Sequence, residues 1–149
     1  MLPYFKDDTS CRAFVEDNFA RKHRNMICRR TRLWRKINHQ RFNYFVTLTY
    51  ADDKMTEEEF AKKLLNTLYH FSSRKGWLYI GAWERGGATN RLHFHGLFYI
   101  PGGTMSGEME ILRDFDTRKR RMQTVQQNTF FAKRFGRNEF RPIHHASEM

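Results

Sequence analysis

Two histidines one residue apart, His93 and His95, stand inside the apolar run Leu92-His93-Phe94-His95-Gly96-Leu97-Phe98-Tyr99-Ile100. A period of two constrains this stretch to a strand, because side chains alternate across a strand and not around a helix. The alternation predicts His93 and His95 on one face and Phe94 and Phe98 on the other. Two imidazoles side by side on a rigid strand form half of a metal site, since neutral imidazole is a common metal ligand. The plainer reading is a pair of histidines on a solvated face.

Upstream, Trp77 to Glu84 alternate and are rich in aromatic and β-branched types, which predicts a second strand. Between them, Arg85-Gly86-Gly87-Ala88-Thr89-Asn90 is a glycine-bearing turn of hairpin length. Closing that hairpin sets Glu84 across from His93, on a face shared with Leu78, Ile80 and Ala82. One carboxylate and two imidazoles suit a divalent cation with positions left open for substrate oxygens. Alternatively Glu84 ends its strand in solvent and pairs with Arg85 or Arg91. Trp83, on the opposite face, reads as core.

The run Tyr44 to Tyr50 is β-prone, is stopped by Asp52 and Asp53, and predicts a third, central strand. Thr56-Glu57-Glu58-Glu59 is a capping box. Phe60, Leu64, Leu68 and Phe71 follow at helical spacing, with Ala61 and Leu65 widening the stripe and Gly76 as the stop. Near the end of the chain, Arg141-Pro142-Ile143 reads as a last strand. Strand, helix, then hairpin predicts an α+β fold, an antiparallel sheet with helices packed on one face. At 149 residues a single globular domain is expected. No apolar run approaches the ~20 residues that span a bilayer, so no membrane partner is expected.

Charge is the second constraint. Lys and Arg number 27 against 16 Asp and Glu, a formal net charge of +11. Nine of the basic residues and no acidic one lie between Asn18 and Phe42, in a stretch of helix-forming composition. Phe14, Phe19, Met26, Leu33, Trp34 and Ile37 offer that helix an apolar side. A second basic block, Arg118-Lys119-Arg120-Arg121, reads as a hairpin tip. Basic patches with nearby aromatics are the footprint of a nucleic-acid binder, with Arg29, Arg30, Arg118, Arg120 and Arg121 as contacts and Arg85 and Arg91 flanking the histidine face. A solvated face or a membrane-surface helix would carry the same composition. Cys11 and Cys28 have no metal spacing and are expected to stay reduced. His144-His145 is read as a solvated terminal pair, and Gly86-Gly87 lacks any Walker pattern.

Phe45-Val46-Thr47-Leu48-Thr49-Tyr50, Trp83-Glu84-Arg85-Gly86 and His93-Phe94-His95-Gly96-Leu97-Phe98, in this order, resemble the motifs of HUH endonucleases. They are most similar to the rolling-circle replication initiators of small single-stranded DNA phages, viruses and plasmids, over residues 43–100 best and to 143 more weakly. The resemblance implies a ferredoxin-like or RNA-recognition-motif-like sheet. It implies Mg²⁺ or Mn²⁺ held by His93, His95 and Glu84, which makes those three the catalytic set. It further implies nicking of single-stranded DNA at a replication origin by a tyrosine that becomes joined to the 5′ phosphate, leaving a 3′ hydroxyl as primer. A host helicase and polymerase would be the partners, in the cytoplasm of a bacterial cell.

The tyrosine departs from that pattern. Family members carry it after the histidine motif, yet no tyrosine follows Tyr99 here. Tyr50 is expected to be structural, and Tyr99 to sit too far along its strand. The expectation is therefore a basic helical extension over 1–42 and a nuclease domain over 43–149 that stops before its nucleophile helix. A transposase or relaxase, and a non-enzymatic basic binding module, remain as alternatives.

Overall fold

The computed structural model describes residues 4–87, 89–116 and 119–144. The chain forms two compact units, Met1–Arg41 and Phe42–Met149.

The first unit is built on one helix, α1 (Asp8–His39). Its first turn is capped by Asp7, whose carboxylate accepts the Ser10 amide at 2.7 Å. Its nine basic side chains spread around the helix and interrupt the apolar stripe, and no α1 residue is buried. Phe19 and Trp34, assigned to an apolar side, are 68% and 65% exposed. Cys11 and Cys28 are both free.

The second unit carries β1 (Tyr44–Thr49), α2 (Glu57–Lys75), β2 (Leu78–Arg85), β3 (Leu92–Tyr99), β4 (Met109–Asp116), β5 (Arg121–Asn128), α3 (Thr129–Arg134) and β6 (Asn138–Pro142). A four-stranded antiparallel sheet runs in the order β2-β3-β1-β6. This is the expected α+β architecture, with β1 interior and the Arg141-Pro142 segment as the last strand. The pair β4 and β5 forms a separate two-stranded ribbon.

One side of the sheet holds the core. Val46 and Leu48 of β1, Phe94 and Phe98 of β3 and Phe140 of β6 are all buried. They belong to one cluster with Phe60, Leu64, Leu68 and Phe71 of α2, with Trp77, and with Phe131 and Phe135 around α3. The histidine-strand alternation holds: Phe94, Gly96 and Phe98 are buried, and the residues between them are half-buried. Trp83 also faces the core side, edge-on to Phe60 and Phe94. Gly81 is required there, because a Cβ at that position would run into the Phe94 ring.

The start and stop of α2 follow its local chemistry. Thr56 and Glu59 make the reciprocal capping box, and Gly76 ends the helix at φ +71°. Leu65, expected in the apolar stripe, is instead 45% exposed. It sits one residue, about 100°, around the helix from Leu64, and the buried stripe is completed by Thr67, whose hydroxyl donates to the Lys63 carbonyl. Truncation should report this difference. Leu64→Ala is expected to lower unfolding stability by about 2–5 kcal/mol, and Leu65→Ala by no more than about 0.5 kcal/mol, in urea titrations of the two variants.

Candidate metal centre and nucleic-acid face

The site stands on the sheet face opposite the core, and strand register positions every part of it. Glu84 of β2 is directly opposite His93 of β3, as the hairpin predicts, and Ala82 is opposite His95. On the other flank of β3, His93 is opposite Thr49 and His95 opposite Thr47 of β1. Both imidazoles use Nδ1 toward β1: His93 Nδ1 lies 2.8 Å from Thr49 Oγ1, and His95 Nδ1 lies 3.0 Å from Thr47 Oγ1. Both Nε2 atoms turn toward β2. His95 Nε2 is 3.4 Å from Glu84 Oε2, a diagonal contact across the register. His93 Nε2 faces Gly86, where a Cβ would come within 2.8 Å of it. The ring centroids of His93 and His95 are 6.0 Å apart. Phe45 stacks on His95 at 6.2 Å and 17°.

This donor set has the chemistry of a divalent-cation site: two imidazoles with Nε2 directed one way, one carboxylate oxygen, and a cradle kept clear by Gly86. Among the described residues, no group of three His, Cys, Asp or Glu side chains is close enough to hold a metal ion as it stands. The Glu84 side chain is 71% exposed against 29% for His95, so the carboxylate is the member with room to move. Burial holds His93 below the usual imidazole value of 6.5, helped by the neighbouring His95, Arg91 and Arg137, with Glu84 pulling the other way.

The two flanking arginines are engaged elsewhere. Arg85 bonds the Glu57 carboxylate at the start of α2 and the Asn90 carbonyl at 3.0 Å. Hydrogen bonding to Arg85 lowers the Glu57 pKa, and the same bond raises that of Arg85. Arg91 pairs with Asp52 and lies over the Tyr50 ring. Neither arginine is paired with Glu84 in the structure. Tyr50 itself packs on Phe60 on the core side.

The other basic residues singled out from the sequence belong to other elements. Arg29 and Arg30 are exposed on α1. Arg120 is at the turn of the β4–β5 ribbon with φ +50°, and Arg121 opens β5, which bears out the expected hairpin tip. Arg118 lies outside the described residues, as does His145, and His144 is exposed.

Thr47, Thr49, Phe45 and Gly86 belong to the site without having been singled out for it. The signal in the sequence was the matched two-residue spacing of Thr47/Thr49 and His93/His95, which gains meaning only once β1 is known to pair with β3.

Fold and face together define a class: a strongly basic α+β protein whose sheet presents a histidine pair and a carboxylate opposite its core. Residues 43–145, more than half of the chain, match the family model of the replication-associated protein known as ORF2 or gene 2 protein. The chain belongs to that family, a rolling-circle replication initiator family. No individually curated protein and no solved structure gives a significant match. Among the described residues no helix is long and apolar enough to cross a membrane.

The depressed His93 value has a signed consequence. Its folded-state pKa is below 6.5, so the unfolded chain takes up that proton first. The stability it contributes is present above pH 6.5 and is lost as pH falls toward the folded value. In an NMR titration of the metal-free chain the His93 ring is expected to show a midpoint below 6.5, and a midpoint above it would contradict the geometry.

Proposed function

We propose that this chain binds single-stranded DNA at a replication origin and, with Mg²⁺ or Mn²⁺, supports its nicking to start rolling-circle replication. The observation that carries this reading is the common direction of His93 Nε2 and His95 Nε2 toward Glu84 and Gly86. His93, His95 and Glu84 would hold the cation. When bound, it would polarise the scissile phosphate and stabilise charge on its oxygens.

The chain's own residues then have distinct tasks. The imidazoles supply fixed nitrogen ligands, and Glu84 reaches in from the hairpin mouth. Arg85 and Arg91 stand beside the phosphate path, in exposed ion pairs that a polyanion competes for. Arg29, Arg30, Arg118, Arg120 and Arg121 supply the electrostatic grip on the DNA backbone. In the bond exchange, a tyrosine oxygen forms a bond to the phosphorus while the bond to the 3′ oxygen breaks. The 3′ oxygen leaves with a proton as the primer hydroxyl, and the 5′ phosphate stays on the tyrosine. A host helicase and polymerase would act on that primer.

Calorimetric titration with Mn²⁺ tests the site. Binding is expected in the wild type and is expected to be lost in His93→Ala and in His95→Ala. Equal affinity in all three would rule the site out. Fluorescence anisotropy with a labelled single-stranded oligonucleotide, with and without Mn²⁺, separates an initiator from a plain basic binding module. Affinity is expected to fall with salt in both cases, by a log–log slope of about −0.7 per phosphate contact. Only the initiator's binding responds to the metal and to the histidine variants.

A further inference from the structure

We infer that Thr47 and Thr49 are positioning residues that set which ring nitrogen of His95 and His93 is free to act. The inference rests on the metal-site reading above and extends it to residues outside the ligand set. Each hydroxyl is within hydrogen-bond distance of one Nδ1, Thr49 with His93 at 2.8 Å and Thr47 with His95 at 3.0 Å. In an imidazole, the bond made by one nitrogen decides the state of the other. A nitrogen that ligates a cation must offer its lone pair, so Nδ1 carries the proton and donates it to the threonine oxygen. That leaves Nε2 bare on both rings, on the side where Glu84 and Gly86 lie. A ring turned over about its Cβ–Cγ bond would exchange Nδ1 for a carbon and lose the contact.

The two threonines are suited to this by backbone as well as by hydroxyl. Branching at Cβ restricts their χ1 rotamers, so the oxygen is a nearly fixed point. Their strand is held on both sides, by β3 and by β6. The Thr49 amide additionally donates to the Arg137 carbonyl at 2.9 Å, and Thr49 is only 7% exposed. Spacing completes the match: two threonines two residues apart face two histidines two residues apart, in register. Hydrogen-bond partners of ligating histidines commonly matter about 10–100-fold in metal affinity.

The test uses Thr47→Val and Thr49→Val, which keep β-branching and volume but remove the hydroxyl, beside Thr47→Ser and Thr49→Ser, which keep the hydroxyl. Imidazole ¹⁵N shifts of the metal-free chain read the tautomer, and Mn²⁺ titration reads the affinity. Each valine variant is expected to lose the Nδ1–H preference of its partner histidine and to bind Mn²⁺ about 10–100-fold more weakly. The serine variants are expected to stay near wild type on both readouts. Valine variants with wild-type ¹⁵N shifts and wild-type affinity would overturn the inference, as would a wild type whose rings carry the proton on Nε2. A wild type that takes up no Mn²⁺ removes the metal reading alone. The ¹⁵N shifts then decide the role of the threonines by themselves.

Discussion

The pairing of β1 with β3 in one register is the constraint on which the rest depends. A slip of one residue would turn every side chain of a strand to the other face. Thr47 and Thr49 would then enter the core, and Val46 and Leu48 would meet the histidines. What forbids the slip is the opposite face: Val46, Leu48, Phe94 and Phe98 are each no more than 3% exposed and have one way to be buried together. The polar face is therefore placed to within a side chain by hydrophobic packing on the face that carries no chemistry.

Electrostatics around the face follow a second logic. In a chain of net charge +11, the arginines nearest the site are each matched to a carboxylate: Arg85 to Glu57, Arg91 to Asp52, Arg137 to Asp114 and Arg141 to Glu139. The acids come from the start of α2, the loop after β1, the β4–β5 ribbon and β6. Exposed pairs of this kind are weak and are screened by salt. They hold long side chains extended at little cost, and a phosphate chain can take the place of the carboxylate. Much of the excess charge is carried by α1, whose apolar residues are left exposed among its arginines.

What the sequence made legible was local. The histidine alternation, the hairpin that opposes Glu84 to His93, the capping box of Thr56 and the stop at Gly76 all depend on residues a few positions apart, and the structure has each of them. The contacts that finish the site are distant in sequence. Thr47 and His95 are 48 positions apart, and Arg91 and Asp52 are 39 apart. No periodicity announces which strand lies beside which, so the threonine contacts and the arginine partners were out of reach. Leu65 shows a different limit. An apolar residue adjoining a buried one on a helix is not thereby buried, and Thr67 could take the inner position because its hydroxyl has a carbonyl to satisfy.

The three proposed ligands are not equivalent, and the difference is built into the sheet. His93 and His95 sit on an interior strand, with Nδ1 of each engaged by a hydroxyl, so little side-chain freedom remains to be lost when Nε2 binds anything. Glu84 sits on the edge strand at the mouth of the hairpin, with its carboxylate largely in solvent and in contact with His95. Ordering a long carboxylate side chain costs rotamer entropy that the rings have already given up. A cation bound by the imidazoles alone would be held loosely, and drawing Glu84 in supplies both the third ligand and a negative charge against the surrounding arginines. On the proposed reading, the rings set where the cation goes, while the swing of Glu84 sets how tightly it stays.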